Sequence, residues 1–132
     1  MSSSLAFPRR VFFWAGVYGL LVLAPQYLLE LGIGPPLPGP LQRPEHFYGF
    51  VGVALAWQLV FLVISRDVQR YRLLMLPAIV EKLVFGVPVL LLFAAGRVGA
   101  DVLTFGCIDL MLGVLFFLAF RATGAGTMAD SR

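Results

Sequence analysis

Four long apolar runs dominate this chain, at about residues 11–31, 46–64, 73–95 and 102–120, and polar or helix-breaking residues punctuate the gaps between them. Each run comes close to the roughly 20 residues a helix needs to cross a hydrocarbon layer. The first gap, residues 32–44, holds Pro35, Pro36, Pro38, Pro40 and Pro44. Their missing N–H groups and fixed backbone angles predict a stiff connector outside the membrane rather than helix. The second gap is short and basic, Ser65-Arg66-Asp67-Val68-Gln69-Arg70-Tyr71-Arg72, and the third is a tight turn, Gly96-Arg97-Val98-Gly99-Ala100-Asp101. The expected fold class is therefore all-α: a four-helix transmembrane bundle forming a single integral membrane domain over residues 1–132.

Within the third run, Pro77 and Pro88 each predict a bend. The segment after Arg121 is polar and glycine-containing and is expected to fray. Pro8-Arg9-Arg10 before the first run also describes a signal peptide. The run is longer than a signal core, however, and has no small-x-small cleavage site before Pro25, so it is read as a retained span.

Composition agrees with lipid as the solvent. Hydrophobic residues make up 60% of the 132 positions and charged residues 13%, with a mean hydropathy of +0.91; soluble domains are about half apolar and a quarter charged. Disordered, collagen-like and disulfide-framed chains are excluded by the hydrophobicity, the lack of a glycine period and the single cysteine, Cys107. A net charge of +3 and a pI near 9.5 could suggest nucleic acid, but the basic residues sit at helix ends, so they read as membrane anchors and no nucleic-acid partner is expected. Arg9, Arg10, Arg66, Arg70, Arg72, Arg121 and Arg132 fall on one side and only Arg43 and Arg97 on the other. By the positive-inside rule both termini and the Arg66, Arg70, Arg72 anchor are expected to be cytoplasmic.

The polar residues inside the runs are the candidates for chemistry. Counting from the nearest arginine at a helix end, Gln58 lies eight positions in, Glu81 nine and Asp109 twelve, which at 1.5 Å per residue puts them about 12, 14 and 18 Å deep. Lys82 adjoins Glu81. A charge at mid-bilayer costs about 2.5–3.5 kcal/mol even on insertion scales, so Gln58, Glu81, Lys82 and Asp109 are expected to form one buried polar layer. Consecutive helical residues project about 100° apart. Asp109 is thus the expected partner of Lys82, with Glu81 left to protonation or to a hydrogen bond from Gln58 or Tyr18. The layer reads either as a clasp that fixes helix register or as a proton or ligand site.

Small residues recur at packing intervals: Ala15 with Gly19, Gly49 with Gly52 and Ala56, and Gly106 with Gly113. Such spacings let helices approach closely, chiefly within the bundle and secondarily across a homo-oligomer interface. Glu45-His46 offers two ligands without the further His or Cys that a zinc site needs, so no metal is expected. Cys107 reads as a packing residue. No phosphate loop, nucleophile elbow or haem attachment motif is present, so no cofactor is expected and the reading leans away from an enzyme.

The run Arg66-Asp67-Val68-Gln69-Arg70-Tyr71-Arg72 closing span two, the charged pair Glu81-Lys82 early in span three, and a fourth span with Gly106 and Asp109 that ends in Phe120-Arg121 resemble small four-span bacterial inner-membrane proteins of the DoxX-like kind. Val68 stands where that pattern carries proline. The resemblance covers most of the chain and implies architecture and a bacterial inner-membrane location, not an activity. Three functions fit. An accessory or scaffold subunit would associate with a membrane-protein partner. A small proton-coupled transporter of an apolar or cationic compound would resemble the small multidrug exporters in size, although those carry their key glutamate in the first span, where this chain has no charge before Glu30. An intramembrane isomerase would use His, Glu and Trp around an apolar pocket, but His46 lies near the outer surface. A bound lipid or quinone is compatible with any of the three.

Overall fold

The computed structural model describes residues 5–30 and 44–131. These form four α-helices: α1 (Ala6–Glu30), α2 (Pro44–Arg66), α3 (Met75–Ala94) and α4 (Ala100–Asp130). All four are long and apolar enough to cross a membrane. Their outward side chains, among them Trp14, Leu21, Val53, Val84, Leu91 and Val114, are exposed hydrophobics. In water such a surface would drive aggregation, whereas lipid solvates it, so the chain is a multi-pass membrane protein. The expected connector at residues 32–43 lies outside the described residues.

Two boundaries differ from expectation. α1 begins at Ala6 rather than residue 11, because Pro8 falls in the first turn, where its missing N–H leaves no intrahelical bond unmade. α4 continues to Asp130, past the expected end at residue 120. Its distal part has tertiary partners that composition does not reveal: Thr123 is fully buried, its hydroxyl donates to the Ala119 carbonyl at 2.8 Å, and Gly124 lies against the Arg72 guanidinium. Pro77 sits in the first turn of α3, and the helix runs on through Pro88.

The connections are specified locally. After α3, Gly96 adopts φ +70°, and the amides of Gly96 and Arg97 bond the carbonyls of Phe93 and Leu92 at 2.9 and 2.8 Å. This is the Schellman stop that a left-handed glycine permits. Between α2 and α3 the Asp67 carboxylate accepts the Arg70 amide at 3.1 Å, Val68 tucks inside, and a 3-10 turn at Arg72–Leu74 leads into α3.

The helices run up, down, up and down. α1 packs along α2 and α3 along α4 to give two hairpins, which join chiefly where α1 meets α4; α2 and α3 touch little. The end where α2 passes into α3, here the arginine end, holds the core: Phe12, Phe61, Ile64, Val68, Met75, Ala78, Leu112, Phe116 and Ala119. Phe12 stacks on Phe116 at a centroid distance of 4.3 Å, and Phe61 meets Phe116 edge-on at 4.9 Å. The opposite, loop end is built differently.

Candidate functional site

Above the aromatic core the four helices part around a cavity of about 380 Å³. Its walls are regular stripes. α1 contributes Tyr18, Val22 and Gln26, α2 Phe50, Ala54 and Gln58, and α4 Asp101, Phe105 and Asp109, while α3 adds Glu81, Lys82 and Phe85. Three of these sets follow i, i+4, i+8 spacing, which keeps side chains on one helical face and lines a wall about 12 Å long. Small Ala54 leaves room at the middle of the α2 wall.

Lys82 is the hub of the polar layer. It is only 5% exposed, and its Nζ lies 3.4 Å from both Glu81 Oε2 and Asp109 Oδ1. It also lies 5.3 Å from the centroid of the Phe61 ring, at the junction of cavity and core. The two carboxylates keep 19% and 16% of their side-chain surface open. The pairing of Lys82 with Asp109 is the geometry expected. The placement of Glu81 is a correction: it pairs with its neighbour Lys82, not with Gln58 or Tyr18. The flexible stems of lysine and glutamate bridge the 100° between their Cα positions, and in a low dielectric the gain in attraction outweighs a poor helical register.

Gln58 lines the same cavity but is held elsewhere. Its Nε2 donates to the Ala54 carbonyl of its own helix at 2.9 Å, and its buried Oε1 has no hydrogen-bond partner among the described residues. Gly19 makes this position possible, since a Cβ there would collide with the Gln58 amide. Fully ionised, the layer holds two carboxylates against one ammonium. Asp101 adds a third carboxylate where α4 begins, so anionic groups stand at both ends of a chamber whose walls are mainly apolar and aromatic but include the amides of Gln26 and Gln58.

The small residues fall into two groups. Ala15, Gly19, Gly106 and Gly113 are buried. A Cβ on Gly106 would stand 2.6 Å from Val89 Cγ1, whereas one on Gly113 would meet Lys82 Cβ at 3.4 Å. Gly52 is looser, with Tyr27 at 3.9 Å. Ala56 is exposed, which corrects its expected role in packing the bundle: it lies on the outward side of α2. Two close approaches escaped the spacing argument. A Cβ on Gly16 would stand 2.9 Å from the Gln58 carbonyl oxygen, and one on Gly86 would stand 2.6 Å from Leu110 Cγ and 3.1 Å from the Gly106 carbonyl oxygen.

The three anchor arginines also separate. Arg66 and Arg70 are exposed. Arg72 is docked instead, its Nε donating to the Phe120 carbonyl at 3.1 Å and its guanidinium lying 3.7 Å from the centroid of the Phe120 ring. Arg9, unassigned from sequence beyond its charge, donates from Nη2 to the Arg66 carbonyl at 3.0 Å and so satisfies the end of α2. Cys107 is exposed on α4, so it does not pack inside the bundle; its neighbour Gly106 takes the buried position. His46 is exposed at the start of α2 and is not among the cavity residues. Among the described residues no group of three His, Cys, Asp or Glu side chains is placed to hold a metal ion.

Gln26 and Asp101 were missed as site residues by the sequence reading. The signal was present: Tyr18 with Gln26, and Asp101 with Asp109, repeat at eight-residue spacing. No protein-family model, curated protein or solved structure matches this chain.

Proposed function

We propose that the protein binds a small amphipathic organic cation inside the membrane and carries it in exchange for protons. The observation that supports this reading is the cavity itself. Its volume of about 380 Å³ lies in the range of roughly 300–1,000 Å³ typical of small-molecule sites, and the charged groups lining it are Glu81, Asp101, Asp109 and the already engaged Lys82. A clasp that only fixed helix register would be sealed by packing, whereas these carboxylates retain open surface. Tyr18 and Phe105 supply ring faces suited to a cation. A proton and a cationic ligand would compete for the same excess negative charge, which is the physical basis for exchange.

The test uses purified protein in lipid nanodiscs with ethidium, a flat aromatic cation, as the probe. Saturable binding, proton release on binding in weak buffer, and loss of both in Glu81→Gln or Asp109→Asn variants that still fold are expected. Saturable binding that survives both substitutions would reject the site, and no binding of any organic cation would reject the function.

An accessory or scaffold role is a second reading, supported by a separate observation. Gly49, Val53 and Ala56 lie on an outward face of α2, with nothing within 4 Å of a Cβ on Gly49, a surface another helix can approach. Native mass spectrometry in mild detergent distinguishes the two, because a stoichiometric protein partner supports the accessory reading. We also propose that the arginine end faces the cytoplasm of a bacterial inner membrane, in keeping with the DoxX-like resemblance and the seven-to-two arginine asymmetry. Cysteines at His46 and Gln69 in a Cys107→Ala background should then label from opposite faces with an impermeant reagent. Labelling from the same face would end this orientation.

A further inference from the structure

The hairpins are tightly built and join chiefly where α1 meets α4, but α2 and α3 touch little. In a bilayer the opening between α2 and α3 faces lipid, not water. Phe50 of α2 and Phe85 of α3 stand across it with ring centroids 6.0 Å apart and planes inclined by 34°. Both rings line the cavity, and Phe50 is 55% exposed. A ring that lines the chamber and keeps more than half its surface open, between two helices that touch little, marks an opening. Rings on α2 and α3 rotate about their side-chain bonds without breaking any hydrogen bond, so little opposes their parting.

Resting on the cavity reading above, we infer that ligand enters sideways from the bilayer between α2 and α3, past the Phe50–Phe85 pair, as a membrane-partitioned amphipathic organic cation. Glu81 and Lys82 on α3 and Asp109 on α4 line the same cavity beyond the rings, so a cationic head would pass the rings and reach the carboxylates while its apolar part stays in the gap or in lipid. The chamber is too small for a bulky tail to be enclosed with the head, and a lateral opening removes the need to enclose it. The substrate class is therefore set by where the opening points: a compound must partition into the bilayer before it can bind.

A reversible crosslink tests this. In a Cys107→Ala background, Phe50→Cys and Phe85→Cys are joined after folding by a short bifunctional methanethiosulfonate, which dithiothreitol later releases. Ethidium association and dissociation are followed in nanodiscs before crosslinking, after it, and after reduction. Crosslinking should slow both rates at least tenfold, leave equilibrium affinity within about threefold, and be undone by reduction. Unchanged rates would overturn lateral entry while leaving the cavity reading standing. Faster dissociation at an unchanged association rate, with affinity falling accordingly, would make the pair a wall rather than a gate and overturn it equally. If the Cys107→Ala protein fails to bind ethidium before either phenylalanine is altered, the cavity reading itself fails and this inference falls with it.

Discussion

The two ends of the bundle are made from the same apolar alphabet and the same four helices, yet one is filled and the other hollow. At the arginine end Phe12, Phe61 and Phe116 are fully buried against one another, with Met75, Ile64 and Ala78 closing the gaps. At the loop end the inward positions are Tyr18, Gln26, Ala54, Phe105 and Asp101, and a chamber remains. Lipid tails are as apolar as leucine, so helix association in a membrane depends on van der Waals packing and polar contacts rather than on expulsion of water. The aromatic core can therefore hold the bundle at one end while the other stays open. The Lys82 layer lies at the boundary, touching Phe61 on one side and the chamber on the other.

The most damaging way to probe that boundary is to remove its cation. Lys82→Met strands two carboxylates and should cost about 3–5 kcal/mol, read as a loss of monodisperse protein and of the unfolding midpoint in detergent. Adding Asp109→Asn should restore part of the loss, and adding Glu81→Gln as well should restore most of it. A triple variant no more stable than the single one would mean that the layer is not held by its charge balance.

Next in size is the contrast between filled and hollow halves. Phe116→Ala should destabilise by about 3–5 kcal/mol, as deletion of a packed aromatic does. Phe105→Ala, on the cavity wall and 43% exposed, should cost less than about 1 kcal/mol and act on ligand binding instead. Equal losses in thermal denaturation of the two purified variants would erase the distinction.

Smaller effects sharpen the picture of how the hairpins close. Gly106→Ala drives a methyl into Val89 and should cost about 1–3 kcal/mol through overpacking, while Gly52→Ala, with only Tyr27 at 3.9 Å, should be near neutral by the same thermal measurement. The smallest is Arg72→Ala, which removes a carbonyl contact and a ring contact on α4 and should cost about 1 kcal/mol. Arg70→Ala, whose guanidinium lies at 5.6 Å from the Tyr71 ring centroid on an exposed turn, should leave the unfolding midpoint where it was.

Part of the candidate site is legible in the sequence. Depth counting puts Gln58, Glu81, Lys82 and Asp109 at similar heights because a helix advances a fixed distance per residue; in the structure all four line the cavity, and Lys82 lies against Glu81 and Asp109. Partner choice was less legible. Glu81 was assigned away from Lys82 on angular grounds, since a helical wheel records Cα directions and not the reach of four methylenes. Spacing puts Ala56 in the bundle because it identifies a face without saying which neighbour that face meets, and an apolar span puts Cys107 inside because hydropathy does not orient a side chain.

The sequence by itself determined the four apolar helices, the lipid solvent, the glycine stop at Gly96 and the basic link before α3, because each follows from hydrophobic length or local backbone chemistry. Only the tertiary structure decided that α1 pairs with α2 and α3 with α4 while α2 and α3 stand apart, that Arg72 is docked on α4, and that the loop end encloses a chamber. Those outcomes depend on how particular surfaces fit: a glycine admitting Gln58, another admitting Val89, three phenyl rings filling one end. Shape complementarity between distant segments is not written into hydropathy, and in a uniformly apolar chain it is what distinguishes a packed face from one left to lipid or ligand.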